Sequence, residues 1–198
     1  MKAPILLSMV ALVALSVFGS SPNASAGKFL APFTRRMSLP ARQAAPTFSS
    51  GYTALTKCGS GMTKKEEKEA EEHGSDIPTR CKGYGGYDVY ISYSACASNF
   101  SLDKGDESIP LGMQAVDWKQ KTVEWRLANG KPFAVIMRVY EYKGTNECAM
   151  AGKIVGESLI VKGLKGYEHI DGTVNVNGTA NPNVKAREIA DKGYARPK

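Results

Sequence analysis

Pairs of carboxylates are the most numerous candidates for chemistry, since the chain has 19 acidic residues. Glu124 with Glu141, or Asp103 with Asp106, could cleave a glycosidic bond if one acid were protonated and the other charged. That reaction also requires a set separation between the two carboxyl groups, and sequence spacing selects neither pair. We therefore expect these acids to be ordinary charged side chains.

Nucleophilic catalysis would need a serine, threonine or cysteine beside a base and an orienting group. The chain has two histidines, His73 and His169, and no G-x-S-x-G motif. His73 ends a charged stretch, and His169 precedes an apolar segment. There is no C-x-x-C pair with the close ligand spacing of zinc sites. We expect no catalytic residue, no metal and no cofactor.

The segment Lys82-Gly83-Tyr84-Gly85-Gly86-Tyr87 is rich in glycine and aromatic residues. Glycine loops that hold phosphate open a helix, whereas this segment leads into an alternating, strand-like pattern. It predicts a tight turn or bulge with positive φ. As an alternative, Tyr84, Tyr87 and Tyr90 could present aromatic faces to a sugar or a protein, and Trp118 is a further candidate for such a surface.

The N-terminus has the pattern of a secretory signal. A charged start is followed by an apolar run over 5–18 and by Ala24-Ser25-Ala26. The run is shorter than the roughly 20 residues that span a bilayer. We expect residues 1–26 to be a signal peptide cleaved between Ala26 and Gly27. The protein would then be periplasmic or secreted, without a transmembrane segment in the mature chain.

Positive charge is concentrated just after this signal. The basic residues of 27–57 are Lys28, Arg35, Arg36, Arg42 and Lys57, and this range has no acid, in a chain with a net charge of +7. Prolines interrupt any periodic pattern, so 27–50 predicts a flexible basic leader before a single domain over 51–198. Arg35 and Arg36 are candidates for contact with an anionic surface. Export argues against nucleic acid as a partner.

Four cysteines, an even number, indicate two disulfides in an oxidising compartment, and three pairings are possible. We favour Cys58–Cys81 and Cys96–Cys148. The first bridge would close a loop around a polar segment that has no apolar face to hold it.

That polar segment, 63–73, predicts a short solvated helix with a capping box between Thr63 and Glu66. Alternation of apolar and polar residues predicts strands over 87–94, 122–127 and 170–176. Asn129-Gly130 predicts a hairpin turn into the apolar run 132–142, and 154–161 is another apolar strand. A helix is predicted to begin at Asn181 and end before Gly193. The fold class is α+β: an antiparallel sheet of about five strands with a C-terminal helix on one face and two disulfides.

Four stretches resemble a group of small exported proteins of rhizobia-like alphaproteobacteria. They are CKGYGGYDVY at 81–90, VEWR at 123–126, PFAVIMR at 132–138, and ANPN through IAD at 180–191. The resemblance covers roughly 55–195 and implies a periplasmic location and these domain limits, but no mechanism. Lys82 stands where the group has proline, and the group's two later cysteines are missing. The resemblance therefore implies that Cys58–Cys81 is the shared bridge and that Cys96 and Cys148 pair with each other.

The expected function is a non-enzymatic exported domain that binds or supports a cell-envelope component or a protein partner. One alternative is an envelope hydrolase using carboxylates such as Glu124. A second is an inhibitor of a wall-degrading enzyme.

Overall fold

The computed structural model describes residues 44–94, 97–115, 118–143 and 153–195. These ranges contain strands β1 Phe48–Ala54, β2 Thr79–Lys82, β3 Asp88–Ser94, β4 Ala97–Lys104, β5 Glu107–Ala115, β6 Thr122–Ala128, β7 Lys131–Lys143, β8 Lys153–Gly163 and β9 Asp171–Asn175. The helices are α1 Lys64–Glu72 and α2 Pro182–Tyr194.

The strands form two antiparallel sheets, which corrects the predicted single sheet. One sheet has five strands in the order β1-β6-β7-β8-β9, and the other has four in the order β2-β3-β4-β5. The α+β class and the C-terminal helix on one face are confirmed. The second sheet forms because the apolar face of β3 packs on β6 and β7 rather than joining their sheet.

The five-stranded sheet is the middle one of three layers. On β6 and β7, Trp125 and Val135 point toward the four-stranded sheet, whereas Ala134 and Ile136 point toward α2. The stretch Phe133–Met137 is buried at every position. The apolar run after Asn129-Gly130 is therefore covered on both faces, and φ is positive at both residues of the predicted turn, as a type I′ hairpin requires.

Small residues let α2 lie close to the middle sheet: Ala186, Ala190 and Gly193 face it. A Cβ atom on Gly193 would lie 2.6 Å from Ile170 Cγ1, so only glycine fits there. Asn181 occupies the N-cap position as predicted, but it has φ 52° and its side chain makes no capping hydrogen bond. Val184, in the first turn of α2, is 49 % exposed.

Helix α1 has the predicted capping box between Thr63 and Glu66, and it also has the ion pairs Lys65–Glu69 and Lys68–Glu72. Cys58 and Cys81 form the predicted disulfide, with 4.8 Å between their Cα atoms. The other predicted bridge, Cys96–Cys148, lies outside the described residues.

The first strand begins at Phe48, so the predicted boundary near Gly51 falls inside β1. Phe48 is held by aromatic contacts with Phe133 and Tyr194, at centroid distances of 5.8 and 5.5 Å. The predicted signal, its cleavage at Ala26–Gly27, and Arg35 and Arg36 lie outside the described residues. Neither α1 nor α2 has the length and apolar character needed to cross a bilayer.

Candidate functional site

The predicted aromatic residues do not form one exposed patch. Tyr84 is 37 % exposed, whereas Tyr87 is 4 % exposed. Tyr90 is half-buried, and the guanidinium carbon of Arg80 lies over its ring. The distance from that carbon to the ring centroid of Tyr90 is 5.2 Å. Trp118 is half-buried too, because it packs edge-to-face on Phe100. Only Tyr84 therefore has the exposure that was predicted for the group.

The glycine-rich segment is a turn, as predicted, with φ 64° at Gly85 and 84° at Gly86. Its first glycine is needed for packing: a Cβ atom on Gly83 would lie 2.3 Å from Trp125 Cζ2. The ring of Tyr84 stands 5.9 Å from that of Trp125. The segment thus closes one end of the space between the two sheets.

Four turns meet at this end and line an open cavity of about 680 Å³, which we call the loop-end cavity. They are the glycine-rich turn, the β4–β5 turn, the β6–β7 hairpin and the start of the β8–β9 connection. The lining residues are Gly85, Tyr87, Lys104, Asp106, Glu107, Lys131, Pro132, Leu164 and Lys165. Three lysines face two acids, and Lys165 Nζ lies 4.0 Å from Glu107 Oε2, which leaves an excess of one positive charge.

Tyr87 links three of these turns. Its hydroxyl donates to Glu107 Oε1 at 3.0 Å and accepts from the Lys165 backbone N–H at 3.4 Å. Lys104 Nζ lies 4.9 Å from the centroid of its ring. Burial is the main cause that raises the pKa of Tyr87, so the phenol stays neutral and adds no negative charge to the cavity.

Alkaline pH should reveal this burial. The unfolded phenol loses its proton near pH 10 and the folded one at a higher pH, so Tyr87 stabilises the fold below pH 10 and loses that contribution above it. The free energy of unfolding should therefore fall more between pH 9 and about pH 11 in the native protein than in Tyr87→Phe. Urea unfolding at both pH values measures the difference. Equal falls would contradict a raised pKa.

The predicted carboxylate Glu124 lies elsewhere, between β6 and α2, beside a smaller cavity of about 290 Å³. Its oxygens are occupied: Oε1 accepts from Ser50 Oγ and Arg187 Nε, both at 2.6 Å, and Oε2 accepts from Arg187 Nη2 at 3.2 Å. Its hydrogen bond also raises the pKa of Arg187. Glu141 lies exposed on β7, beyond the segment paired with β6. The structure therefore does not bring this pair together.

The other candidates for acid–base chemistry also have structural contacts. Asp103 accepts hydrogen bonds from Ser101 and Ser108, both at 2.8 Å. His169 Nε2 lies 2.9 Å from the Gly193 carbonyl oxygen, and His73 is the C-cap residue of α1. Across the described ranges, no three His, Cys, Asp or Glu side chains gather in a way that could hold a metal ion.

No family model, curated protein or solved structure matches the chain. The side chains of the loop-end cavity indicate its chemistry. Lysine ammonium groups donate hydrogen bonds and accept none, so the excess of lysines over acids around this opening favours an anion.

The three lysines were missed from sequence, although each has a recognisable neighbour. Lys104 precedes Gly105, Lys131 follows Gly130, and Lys165 precedes Gly166, and all three glycines have positive φ. A lysine beside a turn glycine marks a charged group at the tip of a connection. That signal places each lysine at a turn, and strand pairing then brings the turns together.

Proposed function

We propose that the chain is an exported, non-enzymatic binding domain that holds an anionic component of the cell envelope in the loop-end cavity. The observation that carries the proposal is the convergence of Lys104, Lys131 and Lys165, from three separate turns, on one opening. Loops at the end of a rigid sandwich are a common place for binding sites, because the sheets fix the loop ends.

Export is supported by the signal pattern of the sequence and by the resemblance to small exported proteins. The Cys58–Cys81 disulfide is compatible with an oxidising compartment. A basic leader containing Arg35 and Arg36 would add a second contact with an anionic surface. A variant made to test this contact by deleting the leader should keep the chain from Ala44 onward, because Phe48 already packs against Phe133 in the folded domain.

A non-enzymatic role is supported by the occupancy of the predicted carboxylates. Glu124 Oε1 accepts hydrogen bonds from Ser50 Oγ and Arg187 Nε at 2.6 Å, and Oε2 accepts one from Arg187 Nη2 at 3.2 Å, so the side chain is held in place. A hydrolase would need a second carboxyl group across a shared cleft. The partner predicted for it, Glu141, does not line the cavity beside Glu124.

The test is binding of the oxidised full chain to a purified anionic envelope polysaccharide, measured by isothermal titration calorimetry. Replacing Lys131 and Lys165 together with glutamine should weaken binding at least about tenfold, since each surface lysine contributes on the order of 1 kcal/mol toward an anionic surface. The affinity of this double variant should also depend less on salt concentration than the affinity of the native protein.

The matched control is the double variant Lys121→Gln with Lys153→Gln. Both control lysines are exposed and lie at the opposite end of the five-stranded sheet, and their loss changes the net charge equally. Equal weakening in both double variants would show that net charge rather than the cavity controls binding, and would contradict the proposal.

A further inference from the structure

We infer that the anionic ligand is a glycan with acidic groups, because an aromatic cleft directly adjoins the loop-end cavity. This inference rests on the proposed function and narrows its ligand. The second cleft, which we call the tyrosine cleft, has a volume of about 330 Å³. Its lining residues are Ala128, Asn129, Lys131, Pro132, Phe133, Tyr167 and Tyr194.

The two cavities meet at Lys131 and Pro132, which line both. These residues begin β7, just after the Asn129-Gly130 turn, so the hairpin forms the ridge between the cavities. A ligand of a few linked units that lies across this ridge would reach both cavities at once. Lys131 would contact it from either side.

The tyrosine cleft is preorganised. Tyr167 and Tyr194 stack with centroids 5.2 Å apart and ring planes 15° apart. The buried ring of Phe133 supports both, at 5.7 and 4.8 Å. Burial, and then a hydrogen bond with Tyr194, raise the pKa of Tyr167, so its hydroxyl remains a neutral hydrogen-bonding group.

This combination matches the chemistry of an acidic sugar. Sugar rings have apolar C–H faces that pack on aromatic rings, and hydroxyls that exchange hydrogen bonds with phenol groups. Tyr167 and Tyr194, which are half-buried and line the cleft, carry both kinds of group. The acidic group of the sugar would pair with a lysine of the adjoining cavity. A simple anion would leave the tyrosine cleft unused, and a neutral sugar would leave the lysines unused.

The experiment compares three probes by calorimetry with the oxidised full chain: a short oligogalacturonate, its fully methyl-esterified form, and polyaspartate. The first two share a sugar backbone and differ in charge, whereas polyaspartate has charge without sugar. We expect oligogalacturonate to bind at least about tenfold more tightly than either of the others, equivalent to about 1.4 kcal/mol. Lys131→Gln should remove most of the preference for oligogalacturonate over its methyl-esterified form.

A second measurement can be made on the native protein itself, so it does not depend on whether a variant folds. Saturation-transfer NMR with aromatic irradiation should label the ring protons of bound oligogalacturonate. Tyr167→Leu, with folding checked by circular dichroism, should reduce that transfer and the affinity. Equal binding of polyaspartate and oligogalacturonate, without aromatic transfer, would overturn the glycan inference but leave anion binding intact. Failure of all three probes to bind would contradict both.

Discussion

Replacing Asp191 with alanine should lower the free energy of unfolding by about 3 kcal/mol, because it leaves a buried guanidinium without its carboxylate. Arg126 is 5 % exposed and donates to Asp191 through Nε at 3.1 Å and through Nη2 at 2.9 and 2.7 Å. Its Nη1 donates to Ser50 Oγ at 2.6 Å. Urea unfolding at neutral pH measures the loss.

The matched control is Glu188→Ala on the same helix. Glu188 pairs with Lys185 and Lys192, both at 3.8 Å, and these side chains are exposed. Exposed pairs contribute between 0 and about 1 kcal/mol, so this variant should be nearly neutral. Replacing Arg126 with methionine and Asp191 with leucine together should recover much of the stability, since neither charge is then left alone. Similar losses for Asp191→Ala and Glu188→Ala would contradict this account of the pair.

Removing the Cys58–Cys81 disulfide should lower the free energy of unfolding by about 3 kcal/mol, as expected for a bridge between cysteines 23 residues apart. The bridge holds α1, whose residues are all exposed or half-buried and supply little packing. The double variant Cys58→Ala with Cys81→Ala, unfolded in urea beside the native oxidised protein, measures the effect.

Limited proteolysis shows which part of the chain becomes more accessible when the Cys58–Cys81 bridge is removed. Trypsin should cut the double variant faster at Lys64, Lys65 and Lys68 of α1, and the increase should be smaller at sites in α2, which become accessible only on global unfolding. Unchanged cleavage of α1 would show that its own capping box and ion pairs suffice to hold it. An unchanged unfolding midpoint would contradict the stabilising role of the bridge.

Sequence periodicity predicted the strands that have a continuous apolar face and missed the others. β7 and β8 were predicted because they lie inside the middle sheet and are apolar over several residues. β5 was missed because Pro110 interrupts it, and proline is tolerated there only because β5 is an edge strand of its sheet. β1 was missed because its serines and Gly51 contribute little apolar surface.

The number of sheets depends on packing between distant segments, which periodicity does not encode. Alternation in β3 showed that one face is buried but not what covers it. Tyr87 shows the consequence: it continues the inward face of Val89 and Ile91, so it lies between the sheets instead of joining Tyr84 at the surface. The loop-end cavity was missed for the same reason, since its lysines come from three turns far apart in sequence.

The position of the five-stranded sheet between two other layers links their stabilities. Its inner strands contribute Trp125 to one core and Ile136 to the other. If either outer layer detached, one apolar face of these strands would meet water, at a cost of roughly 25 cal/mol per Å². Partial unfolding is therefore disfavoured, and we expect the four-stranded sheet, the middle sheet and α2 to melt as a single cooperative unit.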